Sequence, residues 1–263
     1  MTVPFRLPKY RVITAPITCG SFSDQVDAIA ALAHARISSY VCCVNAHMTM
    51  EARDSGFAKV VSGADLATPD GMPVLLAMRG LHGVDQERVA GNDLMPALLE
   101  KAESEGLSVY LYGGSEEVHR RILERVAREH PRLVIAGCHA PPYGPLSQFD
   151  LRVESNRINS TGAQIIMVSL GCPKQERFMA ALKGLVNGVM LGLGGAFLLY
   201  AGIDSRAPKW MRSLSLEWLY RLWLEPRRLW KRYLVTNVLF LAYLAREIVR
   251  RMTRPRAYGH PME

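Results

Sequence analysis

The chain lacks an apolar run long enough to cross a bilayer as a helix. The stretch Tyr233 to Ala245 stops at 13 residues and includes Thr236 and Asn237, whereas about 20 are needed. Between Met1 and Gly20 there is no apolar core followed by a cleavage-like site, so no secretory leader is expected. The five cysteines (Cys19, Cys42, Cys43, Cys138 and Cys172) are odd in number and include no CxxC pair. That argues against a disulfide framework or a zinc site and fits reduced, mostly buried thiols in a cytosolic protein. No Gly-x-Gly-x-x-Gly follows the first strand, which disfavours a dinucleotide-dependent dehydrogenase. No Asp-x-Asp occurs anywhere, so the usual acidic clamp for a nucleotide-bound divalent ion is missing. No metal and no cofactor are expected, and there is no internal repeat or low-complexity segment.

With 263 residues, 49% of them hydrophobic, the chain can bury a substantial core. Its charge is unevenly placed. Residues 206–256 carry 13 Lys and Arg against 3 Asp and Glu, a net of +10, while the whole chain is +8 and the remainder therefore −2. A nearly neutral body with a cationic tail suggests an anionic partner: a membrane surface, a nucleic acid or a phosphate-rich substrate. All four tryptophans (Trp210, Trp218, Trp223 and Trp230) fall among the arginines of that tail. Aromatic and leucine side chains interleaved with Arg and Lys suit a helix lying at a membrane interface. A helix packed on the body with a solvated basic face would leave the same pattern.

Before the tail, strand and helix signals alternate. Tyr10 to Ile17 reads as a first strand, and a helix follows from about Asp24 to Arg36 with Ser21 or Ser23 as N-cap. Ser39 to Val44 suits a buried strand, Asn45 to Ala58 is more helical, and Asp65 to Thr68 leads into Pro69. A helix over Asn92 to Glu105 is entered by Gly91-Asn92-Asp93. Leu107 to Tyr112, Leu133 to Gly137, Ala163 to Leu170 and Val189 to Leu193 read as strands, with helices over Glu116 to His130 and from Lys174. This order indicates an α/β fold: a mostly parallel sheet with helices on both faces. The composition changes after Gly202, which divides the chain into a catalytic body, 1–202, and a basic helical appendage, 203–263.

The chain is organised around Ala67-Thr68-Pro69-Asp70-Gly71. Pro69 ends regular structure and Gly71 permits a sharp turn, so Asp70 is held on a tight corner at a strand end. Ligands of open α/β sheets are handled there, although a surface Asp-Gly turn has the same spelling. Gly113-Gly114-Ser115 precedes a helix whose amides can hold a phosphate. Gly171-Cys172-Pro173-Lys174-Gln175-Glu176 repeats that arrangement, and Gly192, Gly194 and Gly195 allow a ligand close to the backbone. Asn45 can be a helix cap or a ligand contact. Arg88 can be a surface arginine or a cation for a leaving diphosphate, which without a metal must be met by the protein. His47 has no partner at metal-ligating spacing and reads as structural or surface.

Several short motifs occur in a fixed order: Val44-Asn45-Ala46-His47-Met48, Pro69-Asp70-Gly71, Glu87-Arg88-Val89-Ala90-Gly91 and Gly171 to Glu176. In the tail come Arg206-Ala207-Pro208, Glu217 to Leu222 and Glu225-Pro226-Arg227-Arg228. Together they resemble the WecG/TagA/CpsF family of bacterial glycosyltransferases over nearly the whole chain beyond Tyr10. The resemblance implies a Rossmann-like body with a C-terminal membrane-directed appendage. It also implies an inverting, metal-independent transfer of a sugar from a UDP-sugar to a sugar on a polyprenyl diphosphate. By resemblance Asp70 matches the general base, which must be an ionised carboxylate within reach of the acceptor hydroxyl. Asn45 and Gln175 match polar residues around donor and acceptor, and Arg88 a basic residue of the site. Arg221, Arg228 and Lys231 match appendage cations that hold diphosphate. Two departures bear on donor recognition: Cys43 stands where the family commonly has threonine, and Leu198 where an acid is common.

The expectation is therefore a peripheral glycosyltransferase on the cytoplasmic face of the inner membrane, acting in cell-surface polysaccharide assembly. Its partners would be a UDP-sugar, a polyprenyl-diphosphate-linked acceptor and an anionic membrane surface, with no nucleic acid. The alternative is a nucleotide-binding α/β protein whose basic tail binds nucleic acid, for which steep salt dependence would be diagnostic.

Overall fold

Six strands form one parallel sheet, in the order Leu66–Pro69, Ser39–Val44, Val189–Gly192, Ile165–Ser169, Ser108–Gly113 and Val134–His139. The computed structural model describes residues 7–208, 211, 217–224 and 226–253, with side chains in the last two segments described only in part. The sheet strands are β3 (Ser39–Val44), β4 (Leu66–Pro69), β5 (Ser108–Gly113), β6 (Val134–His139), β7 (Ile165–Ser169) and β8 (Val189–Gly192). Apart from β6 they are almost wholly buried and rich in Val, Ile, Leu and Tyr, as strands covered on both faces must be.

Side chains alternate between two cores with the period of two that a strand imposes. Val41, Cys43, Leu111, Met167 and Leu191 point to one face, where α1 (Phe22–His34), α5 (Gly91–Glu105), α6 (Glu116–Glu129) and α9 (Ala196–Tyr200) cover them. Cys42, Val44, Tyr112, Val168 and Met190 point to the other. That face is covered by α2 (Ala46–Glu51), α3 (Ser55–Ser62), α4 (Met72–His82), α7 (Leu151–Asn159) and α8 (Lys174–Leu182). Ser21 and Asp24 cap α1 reciprocally, each accepting from the other's backbone amide, so Ser21 rather than Ser23 is the N-cap.

The expected first strand is instead a hairpin outside the main sheet. β1 (Lys9–Val12) pairs antiparallel with β2 (Ala15–Thr18), and Ile13 takes φ of 55° at the turn. A β-branched residue in the left-handed region costs about 1–3 kcal/mol, and such a turn is normally spelled with Gly or Asn; hence the turn was illegible. The helical stretch after Asn45 also divides. Asn45 caps α2, and Asp54 caps α3 by accepting from the Phe57 amide at 2.8 Å.

The C-terminal segment contains α10 (Glu217–Leu224) and α11 (Pro226–Thr253). Helix α11 packs on α2 and α4. Phe240 is buried there, and the Arg53 guanidinium lies 4.7 Å from the centre of the Tyr243 ring. The opposite face of α11 exposes Val235, Val238, Leu241, Val249 and Met252. Among the described residues no helix is long and apolar enough to cross a membrane.

Candidate active site

Parallel strands bring all their carboxyl ends to one edge, and the motifs found in the sequence are the residues that follow those ends. Along that edge stand Asp70 after β4, Asn45 after β3, Gly194-Gly195 after β8, Gly171 to Pro173 after β7 and Gly114 after β5. The chain leaves β5 for β6 on one side and β7 for β8 on the other, so the switch point lies between β5 and β7. Crevices that bind ligands form at such points.

Three hydrogen bonds build the Asp70 corner. The Asp70 amide donates to the Val44 carbonyl at 2.8 Å, continuing the β3–β4 ladder by one residue. The Val89 amide donates to the Pro69 carbonyl at 2.9 Å, and Thr68 Oγ1 donates to the Val89 carbonyl at 2.9 Å. Gly71, at φ 110°, then turns the chain into α4. Asp70 itself is partly exposed. It is therefore a carboxylate on a braced backbone that solvent and substrate can reach.

Asn45 sits beside this turn: a Cβ added to Gly71 would lie 4.0 Å from Asn45 Cβ. Its Oδ1 accepts from the Met48 amide at 3.1 Å as the N-cap of α2, so capping leaves the carboxamide nitrogen for a ligand. Cys43 is buried beneath the corner. Burial first, and then the Asp70 charge, push its thiol up to about 12, so it is a neutral part of the site floor rather than a nucleophile.

Arg88 is brought in by a loop pinned on both sides of it. Gln86 bonds Gly20 in both directions, Glu87 accepts from the Phe22 amide at 2.7 Å, and Val89 is tied to β4. Arg88 then donates to Asp93 across 3.0 Å with only 27% of its side chain exposed, which is not the setting of an ordinary surface arginine. The residues expected to cap α5, Gly91-Asn92-Asp93, form its first turn instead, with Ala90 as N-cap.

Ser169 laces the other strand ends together. Its carbonyl accepts from the Gly114 amide at 2.9 Å, and its hydroxyl donates to the Gly194 carbonyl at 3.0 Å. Gly113, at φ 88°, lies so close that an added Cβ would come within 2.3 Å of the Ser169 carbonyl oxygen. Gly194 also takes positive φ, whereas Gly195 is in an ordinary helical conformation at the start of α9. Gln175 is buried and spans the β7 and β8 loops. Its Oε1 accepts from the Gly171 amide at 3.2 Å, and its amide nitrogen donates to Glu176 Oε1 at 2.7 Å. Leu198 packs in part against the core.

Glu176 is the residue that sequence reasoning passed over. An acid in the first turn of a helix reads as a partner of the helix dipole, yet this one has no solvent exposure. Burial pushes its carboxyl up to about 6, against the hydrogen bond from Gln175. Only its place in the Gly171 to Glu176 motif signalled it.

The side chains of Arg221, Arg228 and Lys231 lie outside the described residues; their backbones belong to α10 and α11. Trp223 and Trp230 are exposed on those helices. Among the described residues, no group of three or more His, Cys, Asp or Glu could hold a metal. A separate cleft of about 350 Å³ lies between α6 and α9. Its arginines are paired with Glu117, Glu124 and Glu129 of the same helix, and it holds none of the residues described above.

Residues 10–254 match the sequence model of the Glycosyl transferase WecG/TagA/CpsF family. The chain is 33% identical over 201 residues to an N-acetylglucosaminyldiphosphoundecaprenol N-acetyl-beta-D-mannosaminyltransferase of Bacillus subtilis, covering 76% of each chain. It is 33% identical over 198 residues to a protein of the same name from Bacillus spizizenii, covering 74% of this chain and 75% of that one.

Proposed function

The chain belongs to the WecG/TagA/CpsF family of glycosyltransferases, and on that premise we propose that it transfers a sugar from a UDP-sugar to a sugar carried on polyprenyl diphosphate. The observation that carries the reading is the Asp70 corner: a partly exposed carboxylate braced by β3 and by the 83–90 loop, the loop that also carries Arg88. The relatives' names supply the acceptor class, a lipid-diphosphate-linked N-acetylglucosamine.

In this reaction Asp70 accepts the proton of the acceptor hydroxyl as its oxygen attacks the anomeric carbon. The bond from that carbon to the UDP oxygen breaks, leaving a new glycoside, UDP and a protonated Asp70. A single displacement inverts the anomeric centre. A positioned base contributes roughly 10²- to 10⁴-fold. Charge develops on the departing diphosphate, and in this reading cationic side chains of the protein stabilise it. Arg88 is one of them, and the appendage cations Arg221, Arg228 and Lys231 are the others.

Residues 203–263 act as the membrane-directed appendage of the body formed by 1–202. Helix α11 presents apolar residues on two faces, one against α2 and α4 and one towards solvent. Arginines 246, 250 and 251 accompany it. An apolar strip with basic neighbours suits the headgroup boundary of an anionic leaflet, which supports a peripheral location, in this reading at the cytoplasmic face, where the lipid-linked acceptor is met.

The deciding experiment is a donor screen: several UDP-sugars with a lipid-diphosphate-linked N-acetylglucosamine acceptor in vesicles, reading UDP release. Acceptor-dependent UDP release with one donor is expected. No release with any donor while the protein is folded and vesicle-bound would overturn the reading.

A further inference from the structure

Asp93 is the meeting point of two arginines far apart in the sequence. Its Oδ2 accepts from Arg88 Nη2 at 3.0 Å, and its Oδ1 accepts from Arg206 Nη2. The three side chains are 27–31% exposed, so they are sheltered but reachable.

Both arginines are placed by backbone rather than by chance of rotamer. Asp93 lies in the first turn of α5, which is set against the catalytic edge: a Cβ on Gly91 would lie 3.5 Å from Cys43 Sγ and 3.6 Å from the Leu193 carbonyl oxygen. Arg88 is held by the pinned 83–90 loop. Arg206 arrives from the opposite direction, after β8 and α9. There the amides of Ile203 and Asp204 donate to the Leu198 carbonyl, and Ala207, the next residue, is buried. One carboxylate between two guanidiniums leaves the trio a net charge of +1 at the positive end of a helix of 15 residues.

Sharing one carboxylate offsets the repulsion between two cations and sets their separation. Paired guanidinium forks at a fixed spacing match the oxygens of a diphosphate, which a lone lysine would not. We infer that Arg88 and Arg206, aligned by Asp93, form a diphosphate seat at the carboxyl edge, with Arg206 a binding residue and Asp93 a positioning residue. The inference rests on the proposed reaction for its use, since both the leaving nucleotide and the lipid acceptor carry a diphosphate. It also makes Arg206, at the start of the appendage, part of the site.

The test is calorimetric titration of the full chain and its variants with UDP, farnesyl diphosphate and inorganic diphosphate, alongside unliganded melting curves. Arg206→Gln and Asp93→Asn should each weaken binding about tenfold, the loss of one charge-assisted contact. Arg206→Lys should recover part of it. The double variant Asp93→Asn/Arg206→Gln should be little worse than either single variant, because Asp93 acts through the arginine. An effect confined to UDP assigns the seat to the nucleotide; one confined to farnesyl diphosphate assigns it to the acceptor. If Asp93→Asn does not fold, the two Arg206 variants decide alone. Undiminished binding in Arg206→Gln, or effects that multiply fully in the double variant, would overturn the inference while leaving the donor screen untouched. Failure of the unaltered chain to bind any of the three would overturn both.

Discussion

Gln175 and Glu176 are neighbours in sequence and are hydrogen-bonded to each other inside the core, the amide nitrogen of Gln175 donating to Glu176 Oε1 at 2.7 Å. A Cβ on Gly192 would meet the same amide nitrogen at 2.9 Å. The pair therefore sets the floor between the β7 and β8 loops, and any change in the charge of Glu176 is felt where the strands end.

That burial has a pH consequence. The Glu176 carboxyl rises in the folded state from 4.5 to about 6, so the folded protein binds this proton more tightly than the unfolded chain does. Its contribution to stability is fully present below pH 4.5 and is lost as pH rises through 6, about 2 kcal/mol in all. Glu176→Gln keeps an acceptor oxygen and cannot ionise. Its stability relative to the parent should improve by that amount between pH 4.5 and 7.5 in denaturant titrations. A difference independent of pH would contradict the assignment.

Asp70→Asn removes the proton acceptor and keeps the shape of the corner, whose bracing bonds run through backbone atoms. Turnover should fall by about 10²- to 10⁴-fold with UDP affinity within about twofold of the parent. Near-normal turnover would remove Asp70 as the base.

Two glycines separate backbone strain from collision. Gly106 and Gly113 both have positive φ, but nothing lies within 4 Å of a Cβ on Gly106, whereas one on Gly113 would strike the Ser169 carbonyl. Gly106→Ala should cost about 1 kcal/mol. Gly113→Ala should cost at least about 3 kcal/mol, because β5 and β7 must move apart as well. Equal losses in chemical denaturation would show that the close approach is not maintained.

Adjacent residues on α11 differ sharply in exposure. Phe240 is 1% exposed and Leu241 63% exposed. Phe240→Ala should loosen the helix from α2 and α4, at up to about 3–5 kcal/mol, and speed proteolysis within residues 226–253. Leu241→Ser should leave stability within about 0.5 kcal/mol and weaken co-sedimentation with anionic vesicles. If Leu241→Ser binds vesicles as the parent does, the exposed strip is not the membrane face.

The local elements were legible where one residue's chemistry decides the backbone. The strands β3 and β7 and the turn at Pro69-Asp70-Gly71 are spelled in side chains that permit few alternatives, whereas Ser21 and Ser23 are equal candidates for the cap of α1 until the reciprocal bonds of Ser21 and Asp24 decide it. The β1–β2 hairpin was not, because Ile13 is held at its turn by tertiary contacts rather than by its own preference. Glu176 was hidden for a related reason: helix position is readable from sequence, but solvent exclusion is not.

Sequence alone determined the alternation of strand and helix, the acid on its glycine corner, the cationic tail and the family, since these depend on residue type and order. Tertiary structure decided which loops share an edge, that Asp93 joins Arg88 to Arg206, and that α11 lies on α2 and α4. Those are distances between residues remote in the chain, and they exist only once a parallel sheet has gathered its carboxyl ends on one side.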